Sequence, residues 1–444
     1  MSIAWVVSEG AQVLGAFRPN VRKVEWCQGW RYGLGVRRDC TMLKDYSPFT
    51  PGQPVSPEFF VGRSQEIEHI LRAVRAAIDG RLRTLFLTGE RGIGKSSLAA
   101  FVRTLAERDY GVLGLHTFLG GVTSLPEAVR RVFDRLVKEG VGGGWFQKIK
   151  DYFRGRISEV GLFGVSVEFQ PSEADLSKLV DDFASSLRNV LKGLEGAKRG
   201  FFLILDDING VATSLEFANW LKSLVDEIAT SSGPLPLCLV LVGLEDRRQS
   251  LVSLQPSLAR VFDLIEVKTW SDEETRQFFL NAFSRVNIKV EDRALNVLCR
   301  FTGGLPMMAH EIGDATFHID SDGCIDEKDA FQGVLAAADI VGRKHLEPQV
   351  FQAIRSERYR NILRKIAQKP FEISFTSREM RPLLTTEEQR VFHNFLTRMK
   401  ELGVVVPDAE KGRGAYRFAN RLHYLYFWLE AERAKKYRDG RHSD

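Results

Sequence analysis

One glycine-rich stretch constrains this sequence more than any other. Residues 84–97 read TLFLTGERGIGKSS, in which an apolar β-type run enters a glycine turn and a helical pattern follows. Gly89 to Ser96 fits G-x-x-x-x-G-K-[ST], the pattern of a phosphate-binding loop. Glycines let the backbone adopt positive φ and approach a phosphate closely, and the N–H groups of the following helix face negative charge. The stretch therefore predicts a strand–loop–helix unit that binds nucleotide phosphates.

The residue types of this loop predict separate tasks for its members. Lys95 is expected to contact the β- and γ-phosphates, and the Ser96 hydroxyl is expected to ligate Mg²⁺. The other loop residues predicted to bind ATP are Gly89, Gly92, Ile93, Gly94 and Ser97. The alternative is a chance glycine turn. The strand before it, the helix after it and a second motif downstream argue against that alternative.

The second motif is a run of five apolar residues, Phe201 to Leu205, that ends in Asp206 and Asp207. Such a run indicates a strand buried on both faces, as in a parallel sheet, and ligands bind at the carboxyl ends of such strands. Asp206 is predicted to hold Mg²⁺, largely through water. Asp207 is predicted to orient or deprotonate the attacking water. A solvated turn is the alternative, and the phosphate loop upstream favours the metal-binding interpretation.

Composition places the chain among globular proteins with room for two or three domains. Of its 444 residues, 44% are hydrophobic and 27% are charged. No run approaches the ~18 apolar residues of a membrane span, and the start lacks the pattern of a secretory signal. The five cysteines are scattered without C-x-x-C spacing. They favour a reducing, cytoplasmic location and neither a disulfide framework nor a zinc site.

Changes of pattern divide the chain into four predicted domains. Residues 1–57 show no sustained period and form an N-terminal arm of unknown role. Residues 58–270 alternate strands and helices around both motifs and form an ATPase core. Residues 271–340 contain three predicted helices, opened by a capping box at Ser271, and form a helical lid. Residues 341–444 follow the element order of a winged helix-turn-helix domain and end in a basic tail.

Three local patterns give predictions with definite bounds. Periodicity predicts one continuous helix from Leu176 to Leu194 and another from Val350 to Ala367. The glycine-rich stretch 140–164, followed by alternating apolar residues up to Phe169, predicts a hairpin. That hairpin is expected to be an insertion between the second and third strands of the sheet.

These residues together resemble a known family. Residues 60–63 (FVGR), the phosphate loop, the Asp-Asp strand, Pro256 to Arg260, and residues 303–306 (GGLP) occur in the expected order. With the winged helix, they resemble the AAA+/STAND P-loop ATPases, especially the origin-recognition-like and archaeal-ATPase-type branch. The resemblance covers about residues 58–430. It implies an α/β fold with a five-stranded parallel sheet flanked by helices, ATP held between sheet and lid, and often assembly around nucleotide.

The resemblance also implies roles for two arginines. Arg63 is placed near the adenine side of the pocket, where the alternative is an exposed arginine in a turn. Arg260 is placed as an arginine finger, a cation that stabilises charge on the γ-phosphate from a neighbouring subunit. A surface arginine of a helix is the alternative for Arg260.

Departures from the family pattern favour a nucleotide-controlled switch over a fast motor. Asp207 replaces the glutamate common in AAA+ motors, and its shorter reach is expected to slow hydrolysis. The strand end at Gly243 lacks the usual polar sensor unless Glu245 serves. Met307 and its neighbour stand near the place of a sensing arginine, and His310 on the same helix is interpreted as a core or surface histidine.

Two functions remain in competition at this stage. The first is an ATPase switch that assembles with copies of itself, or engages a protein effector, in a nucleotide-dependent way. The second is an ATP-dependent DNA-binding protein, a loader or a transposition or defence regulator, that uses the winged helix. A small-molecule kinase is a third interpretation, but it needs an acceptor pocket for which the sequence gives no sign. No membrane partner is expected.

Charge bears on the DNA-binding alternative in both directions. From residue 350 to the end there are 20 Lys/Arg and 12 Asp/Glu, a net charge of +8. Because the whole chain has a net charge of +5, residues 1–349 have a net charge of −3. A basic C-terminal part permits nucleic-acid contact. However, the predicted recognition helix, Thr386 to Leu402, carries Glu387, Glu388 and Glu401 beside its cations, which is a poor phosphate-facing surface. The winged helix packing on the ATPase core or on a partner stays the alternative.

Overall fold

The computed structural model describes residues 46–53, 60–142, 147–148, 153, 157–160, 166–194, 196–231, 233–351, 354, 356–367, 373–408, 411–419 and 421–439. Most of the predicted N-terminal arm and the last residues of the basic tail therefore lie outside the described residues. Much of the glycine-rich insertion before β4 lies outside them as well.

The strands of the described chain are β1 (Arg83–Thr88), β2 (Leu113–Phe118), β3 (Ile157–Val160), β4 (Ser166–Phe169), β5 (Phe201–Asp206), β6 (Leu237–Val242), β7 (Asp263–Glu266), β8 (Lys289–Val290), β9 (Cys324–Ile325), β10 (Ser374–Thr376), β11 (Val405–Pro407) and β12 (Ala415–Phe418). The helices are α1 (Ser64–Ile78), α2 (Lys95–Tyr110), α3 (Leu125–Gly142), α4 (Glu173–Asp181), α5 (Phe183–Gly193), α6 (Leu215–Thr230), α7 (Glu245–Leu254), α8 (Asp272–Arg285), α9 (Asp292–Thr302), α10 (Pro306–Ile319), α11 (Glu327–Val341), α12 (Glu357–Ala367), α13 (Ser377–Met380), α14 (Thr386–Glu401) and α15 (Arg421–Asp439).

A five-stranded sheet organises residues 60–267, which we call the sheet lobe. Its strands lie in the order β2-β5-β6-β1-β7, and every pair is parallel. Parallel strands need crossover connections, and helices provide them here. β5 and β6 are buried along their whole length, as the continuous apolar runs predict. The predicted α/β architecture, a parallel sheet flanked by helices, is confirmed.

The sheet separates two apolar clusters because alternate side chains of a strand point to opposite faces. On β1, Phe86 packs into one cluster with Phe133 of α3. Leu85 and Leu87 pack into the other with Ile70 of α1. β7 lies at one end of the strand order and is largely exposed. The loops at the carboxyl ends of the strands are thereby held from both faces.

The remaining described helices form a second body, residues 270–439, which we call the lid lobe. The capping box predicted at Ser271 is present. The lid contains one more helix than the three predicted, α11, which begins with a capping box of its own at Asp326. β10, β12 and β11 pair as a small antiparallel sheet beside α12 to α14.

One continuous core joins the lid helices to the C-terminal elements of the lid lobe. It extends from Phe278 on α8 to Phe427 on α15, and α15 packs on α11. A Cβ at Gly342, at the end of α11, would collide with the Tyr426 ring, so this contact is close. Lys344 Nζ also donates to buried Glu311 of α10 at 3.1 Å. The lid and the C-terminal elements are therefore one packed unit.

Two predicted helices differ from the structure. The helix predicted over residues 176–194 is two helices, because Asp182 leaves helical geometry (φ −97°, ψ 26°) and ends one helix and begins the next. Short acidic side chains favour helix ends over interiors. The helix predicted from Val350 begins only at Glu357. A π-helical segment, Gly342–Phe351, precedes it and contains Pro348, which has no N–H to donate to an α-helical bond. The predicted hairpin is present as β3 and β4.

Candidate nucleotide-binding site

The stretch between β1 and α2 adopts the backbone that its glycines predict. Gly89, Gly92 and Gly94 have φ of 148°, 75° and 91°. A Cβ at Gly89 would lie 2.6 Å from the Val267 carbonyl oxygen, so a side chain does not fit there. Gly94 is the N-cap of α2, and no side chain caps it. The start of this helix therefore has the form of an anion-binding site.

Lys95 extends back over this loop. Its Nζ donates to the carbonyl oxygens of Gly89 and Glu90, each at 2.9 Å. Burial lowers the pKa of Lys95, while the nearby charges of Asp206 and Asp207 oppose that shift. Both predicted carboxylates therefore act on the predicted phosphate-binding cation. The structure brings together the two motifs, which are 111 positions apart when counted from Lys95 to Asp206.

Asp206 is held by a residue that sequence analysis did not single out. The carboxylate is 2% exposed, and its Oδ2 lies 2.8 Å from Nε2 of His116 on β2. A carboxylate accepts hydrogen bonds, so Nε2–H donates. The His116 ring stacks on Phe118, with centroids 4.4 Å apart. A histidine within the mainly apolar stretch Leu113–Phe118 was the available signal.

Asp207 follows in a left-handed conformation, with φ of 56°. This region is sparsely populated by residues other than glycine, and such residues concentrate at functional sites. Asn209 Nδ2 donates to Asp207 Oδ1, and Asn209 Oδ1 accepts the backbone N–H of Leu244 at 3.2 Å. Asn209 thus fixes Asp207 against the end of β6. Sequence analysis missed Asn209, for which proximity to the Asp pair was the only signal.

The lid contacts the phosphate loop directly. The N–H of Met307, in the first turn of α10, donates to the Gly92 carbonyl at 3.2 Å. A Cβ at Gly92 would lie 2.9 Å from Met307 Cβ. Any shift of α10 therefore changes the surroundings of the loop.

Arg63 lies beneath the loop and is 7% exposed, which excludes the exposed-turn alternative. Its Nη2 donates to the Ile93 carbonyl at 3.4 Å, and Glu66 lies 3.6 Å from its guanidinium. Burial lowers the pKa of Arg63, against the opposing charges of Glu66 and Glu274 on the lid. Arg63 therefore stands between the phosphate loop and the lid.

Three cavities border the loop. The first, about 290 Å³, contains five of the predicted ATP-binding residues, Gly92, Gly94, Lys95, Ser96 and Ser97. The second, about 640 Å³, lies along β7 and contains Gly89 and Ile93, but neither Lys95 nor Ser96. A third, about 20 Å³, is lined by Arg63, Ile93, Gly94 and Ser97. Although the second is larger, the first holds the cation and the hydroxyl that phosphate chemistry requires.

Arg260 and Glu245 are placed differently. Arg260 ends a short 3₁₀ turn, Pro256–Arg260, before β7. It is exposed, and it lines none of the three cavities of the described chain. Glu245, the alternative base, accepts hydrogen bonds from Arg248, at 2.6 to 3.1 Å. These bonds lower its pKa, which makes it a weaker base.

The donor set fits a magnesium nucleotide. Ser96 and Asp206 offer a hydroxyl and a carboxylate, the hard oxygen ligands that Mg²⁺ prefers. Lys95 and the uncapped start of α2 offer positive charge to phosphates. Among the described helices, none combines the length and apolar character needed to cross a membrane.

Comparison with known proteins now identifies the family. A family model described as the AAA ATPase domain matches residues 60–290, slightly more than half of the chain. The chain belongs to the AAA ATPase domain family. This membership supports a nucleotide-binding P-loop ATPase and confirms the AAA+ part of the resemblance drawn from the motifs. No curated protein matches the chain in sequence.

Solved structures support the fold of this AAA ATPase. The ORC2 protein of Aeropyrum pernix, in its ADPNP-ADP complexes, superposes with a TM-score of 0.54 at 15% identity, over 88% of this chain and 97% of that one. The Walker-type ATPase of Pyrococcus abyssi superposes with a TM-score of 0.51 at 16% identity, over 83% and 96%. At these identities the likeness concerns the fold alone, and it extends beyond the ATPase core.

Proposed function

We propose that this chain binds Mg²⁺·ATP between the sheet lobe and the lid lobe and hydrolyses it slowly, as a nucleotide-controlled switch. The observation that carries the proposal is Lys95. Its ammonium satisfies the carbonyls of its own loop, lies in the field of Asp206 and Asp207, and lines the cavity of about 290 Å³. A phosphate entering there replaces carbonyl acceptors with a charged one, which is a stronger partner.

The residue roles follow from this placement. Lys95 and the backbone of Gly89, Gly92, Ile93 and Gly94 hold the phosphates, with Ser97 and Arg63 toward the base and lid. Ser96 and Asp206 would hold Mg²⁺, which supplies charge neutralisation at the phosphates when bound. Asp207 takes the proton of the attacking water, and Asn209 keeps its carboxylate in place.

The lid provides the switch. Because α10 donates to the loop through Met307, occupancy of the loop changes what the lid contacts. Because the lid shares its core with the C-terminal elements, they move with it. The domain division we propose is therefore an arm at 1–57, an ATPase core at 58–270, a lid at 271–340 and a winged helix-turn-helix at 341–444, the last two coupled. This chain engages further copies or a protein effector through that coupled body.

The first prediction tests nucleotide binding. Lys95→Ala removes the phosphate-facing cation and is expected to weaken ATP affinity by about 100-fold or more, since a charge-assisted contact in a partly buried site is lost. Titration calorimetry measures the affinity. Lys268→Ala is the matched control, because Lys268 lines the cavity along β7 instead. Equal ATP affinity in Lys95→Ala and the parent chain contradicts the assignment, and loss in the control alone moves the site to the larger cavity.

A second function, DNA binding, is favoured by the surface of α14. Two of the carboxylates that argue against it are turned away or neutralised. Glu388 is 5% exposed and lies 2.6 Å from Lys365 of α12. Glu387 pairs with Arg358 of α12 at 2.9 Å.

Apart from Glu387 and Glu401, which are exposed but paired with arginines, the exposed side chains of α14 are cationic or neutral. They include Arg390, His393, Asn394, Thr397 and Lys400. Glu401 is paired with Arg398 at 2.9 Å. We propose that α14 is the recognition helix of the winged helix and faces the DNA backbone with this surface.

Duplex binding at several salt concentrations tests this second function. Arg390→Ala is expected to reduce the slope of log affinity against log salt by about one phosphate contact. Fluorescence anisotropy of a labelled duplex measures this slope, and Arg72→Ala, which removes an exposed cation from α1 of the sheet lobe, is the control. If Arg390→Ala does not change the salt dependence of duplex affinity, or if the parent chain does not bind duplex even at low salt, DNA binding by α14 is contradicted. The winged helix would then be expected to contact protein instead.

A further inference from the structure

Residues 47–53 precede the ATPase core in sequence, yet their anchor lies in the lid lobe. Phe49 is 3% exposed and belongs to the lid core. Its ring lies 5.8 Å from that of Phe278 and 4.9 Å from that of Phe283. Gly313 makes room for it, since a Cβ there would collide with the Phe49 ring. We call residues 47–53 the strap.

A hydrogen bond adds direction to this anchor. The backbone N–H of Thr50 donates to Nδ1 of His310 on α10 at 3.1 Å. Since an N–H only donates, Nδ1 carries no proton, and the ring proton is on Nε2. Burial lowers the pKa of His310 to about 4, so the ring is neutral near pH 7. His310 is thus a fixed acceptor for the strap.

Beyond Thr50 the strap reaches the phosphate loop. Thr50, Gly52 and Gln53 line the same cavity of about 290 Å³ as Lys95 and Ser96. The strap turns there, with Gln53 N–H donating to the Thr50 carbonyl at 3.2 Å. One end of the strap is therefore packed in the lid lobe, and the other forms a wall of the cavity that residues of both lobes line.

Two buried polar atoms at this junction lack a partner among the described residues. They are Thr50 Oγ1 and His310 Nε2. Buried polar groups are nearly always satisfied, and exceptions call for an explanation such as a missing ligand or water. Both residues line the cavity in question. The strap–lid junction is thus incomplete by itself and adjoins the place where nucleotide is proposed to bind.

We propose that the strap retains nucleotide: it lies across the cavity mouth while Phe49 and His310 hold it to the lid, and nucleotide leaves only after this attachment opens. The proposal rests on the proposed nucleotide-binding function and adds how exchange is controlled. Since Phe49 ties the strap to the lid core, lid movement and strap release are one event. A force or partner acting on the segment before Ser47 would then accelerate exchange.

The alternative is that Phe49 only fills the lid core. In that case its removal lowers lid stability and leaves nucleotide release unchanged once folded molecules are compared. Phe317 provides the matched control. It lies on α10, as His310 does, is 2% exposed and belongs to the same core as Phe49. Its described ring contact is with His318 rather than with the strap.

The test measures dissociation of fluorescent mant-ADP from the full chain by stopped flow, chased with excess ADP. Phe49→Ala is expected to raise the dissociation rate about tenfold or more, because a buried aromatic anchor is lost. Phe317→Ala is expected to leave the rate within about twofold, although it destabilises the lid. Thermal unfolding monitors the loss of stability in both variants.

A second variant guards against misfolding of Phe49→Ala. His310→Phe keeps an aromatic ring against Phe49 and Phe278 but removes the Nδ1 acceptor, and is expected to raise the dissociation rate about threefold to tenfold. Unchanged rates in His310→Phe and in folded Phe49→Ala would overturn the strap, as would equal acceleration by Phe317→Ala. If the unaltered chain binds no mant-ADP, the proposed nucleotide function fails and the strap with it, which is a distinct result.

Discussion

The sheet lobe and the lid lobe bury their apolar residues in different ways. In the sheet lobe, a parallel sheet separates two clusters, and successive residues of β1, such as Leu85 and Phe86, contribute to opposite ones. In the lid lobe, one cluster runs without a break from Phe278 to Phe427. It also takes in Phe49 from the strap. The first arrangement fixes the strand ends, and the second joins elements that are distant in sequence.

This difference in packing suggests different functional roles for the two lobes. The groups proposed to act on phosphate, metal and water, Lys95, Asp206 and Asp207, lie at or beyond the carboxyl ends of sheet-lobe strands, where packing on two faces holds them. The lid lobe contributes backbone and apolar contacts to the cavity through Pro306 and Met307. We therefore expect substitutions in the sheet lobe to change chemistry, and substitutions in the lid lobe to change retention and coupling.

The largest effect on ATP turnover is expected from substitution of Arg260. This residue belongs to the sheet lobe but lines none of the three cavities that border the phosphate loop. If Arg260 completes the site of a neighbouring copy, Arg260→Ala should lower turnover about 10³–10⁵-fold, the range known for arginine fingers, without changing ATP affinity. Activity per chain should rise with protein concentration, because only assembled sites are complete. Steady-state phosphate release over a concentration series measures both.

Mixing experiments supply the control for Arg260. Arg260→Ala chains mixed with Asp207→Asn chains should recover activity, since one interface then pairs an intact carboxylate with an intact arginine. Turnover that does not depend on concentration, together with no recovery on mixing, would show that the chain acts as a monomer and that Arg260 is structural.

Asp207→Asn is expected to lower turnover about 10²–10⁴-fold, because an amide cannot accept the proton of the attacking water. ATP and ADP affinity should stay close to the parent, since Lys95 and Ser96 are intact. Single-turnover phosphate release with calorimetry separates the two quantities. Glu245→Gln is the matched control. Normal turnover in Asp207→Asn with loss in Glu245→Gln would identify Glu245, at the start of α7, as the base.

The shared core of the lid lobe gives a prediction about stability. Phe427→Ala should reduce the free energy of unfolding by about 3–5 kcal/mol, as for other buried aromatic residues. It should also speed hydrogen exchange in α10 and α11, far from it in sequence, because they share one core. Phe133→Ala is the control in the sheet lobe, with equal burial. If Phe427→Ala speeds hydrogen exchange only in α15, the lid helices and the C-terminal elements are separate units.

Local sequence patterns predict the sheet lobe well. The apolar run Phe201 to Leu205 forms β5, which ends at Asp206 as predicted, because a run buried on both faces has a clear beginning and end. Residues 176–194 are helical as predicted, but a break at Asp182, which periodicity does not reveal, divides them between two helices. The helix predicted from Val350 begins at Glu357, because a π-helical segment extends to Phe351 before it.

Site residues could be predicted where a single short motif places them. They could not be predicted where contacts between segments distant in sequence place them. The phosphate loop is local, so Lys95 could be placed from sequence. His116 and Asn209 act across strands, and their sequence positions give no register. His310 was interpreted as a core or surface histidine, and it is buried, but its contact with Thr50 depends on a segment 260 positions away. Long-range contacts of this kind need the structure.

The smallest effect concerns the metal side of the sheet lobe and isolates one hydrogen bond. His116 Nε2–H donates to Asp206 Oδ2 at 2.8 Å, and we propose that the second carboxylate oxygen binds Mg²⁺ or its water. Hydrogen bonds to metal-binding carboxylates orient them, and their loss typically lowers metal affinity about 10–100-fold. His116→Phe keeps the stack on Phe118 but removes the donor. It should therefore raise the Mg²⁺ concentration needed for half-maximal mant-ADP binding by about that factor, with little change in binding measured in EDTA.

Phe118→Leu keeps the donor and removes the stack, so its Mg²⁺ dependence should match the parent. If both variants shift the Mg²⁺ requirement equally, the stack rather than the hydrogen bond positions Asp206. If neither shifts it, the carboxylate needs no support from β2.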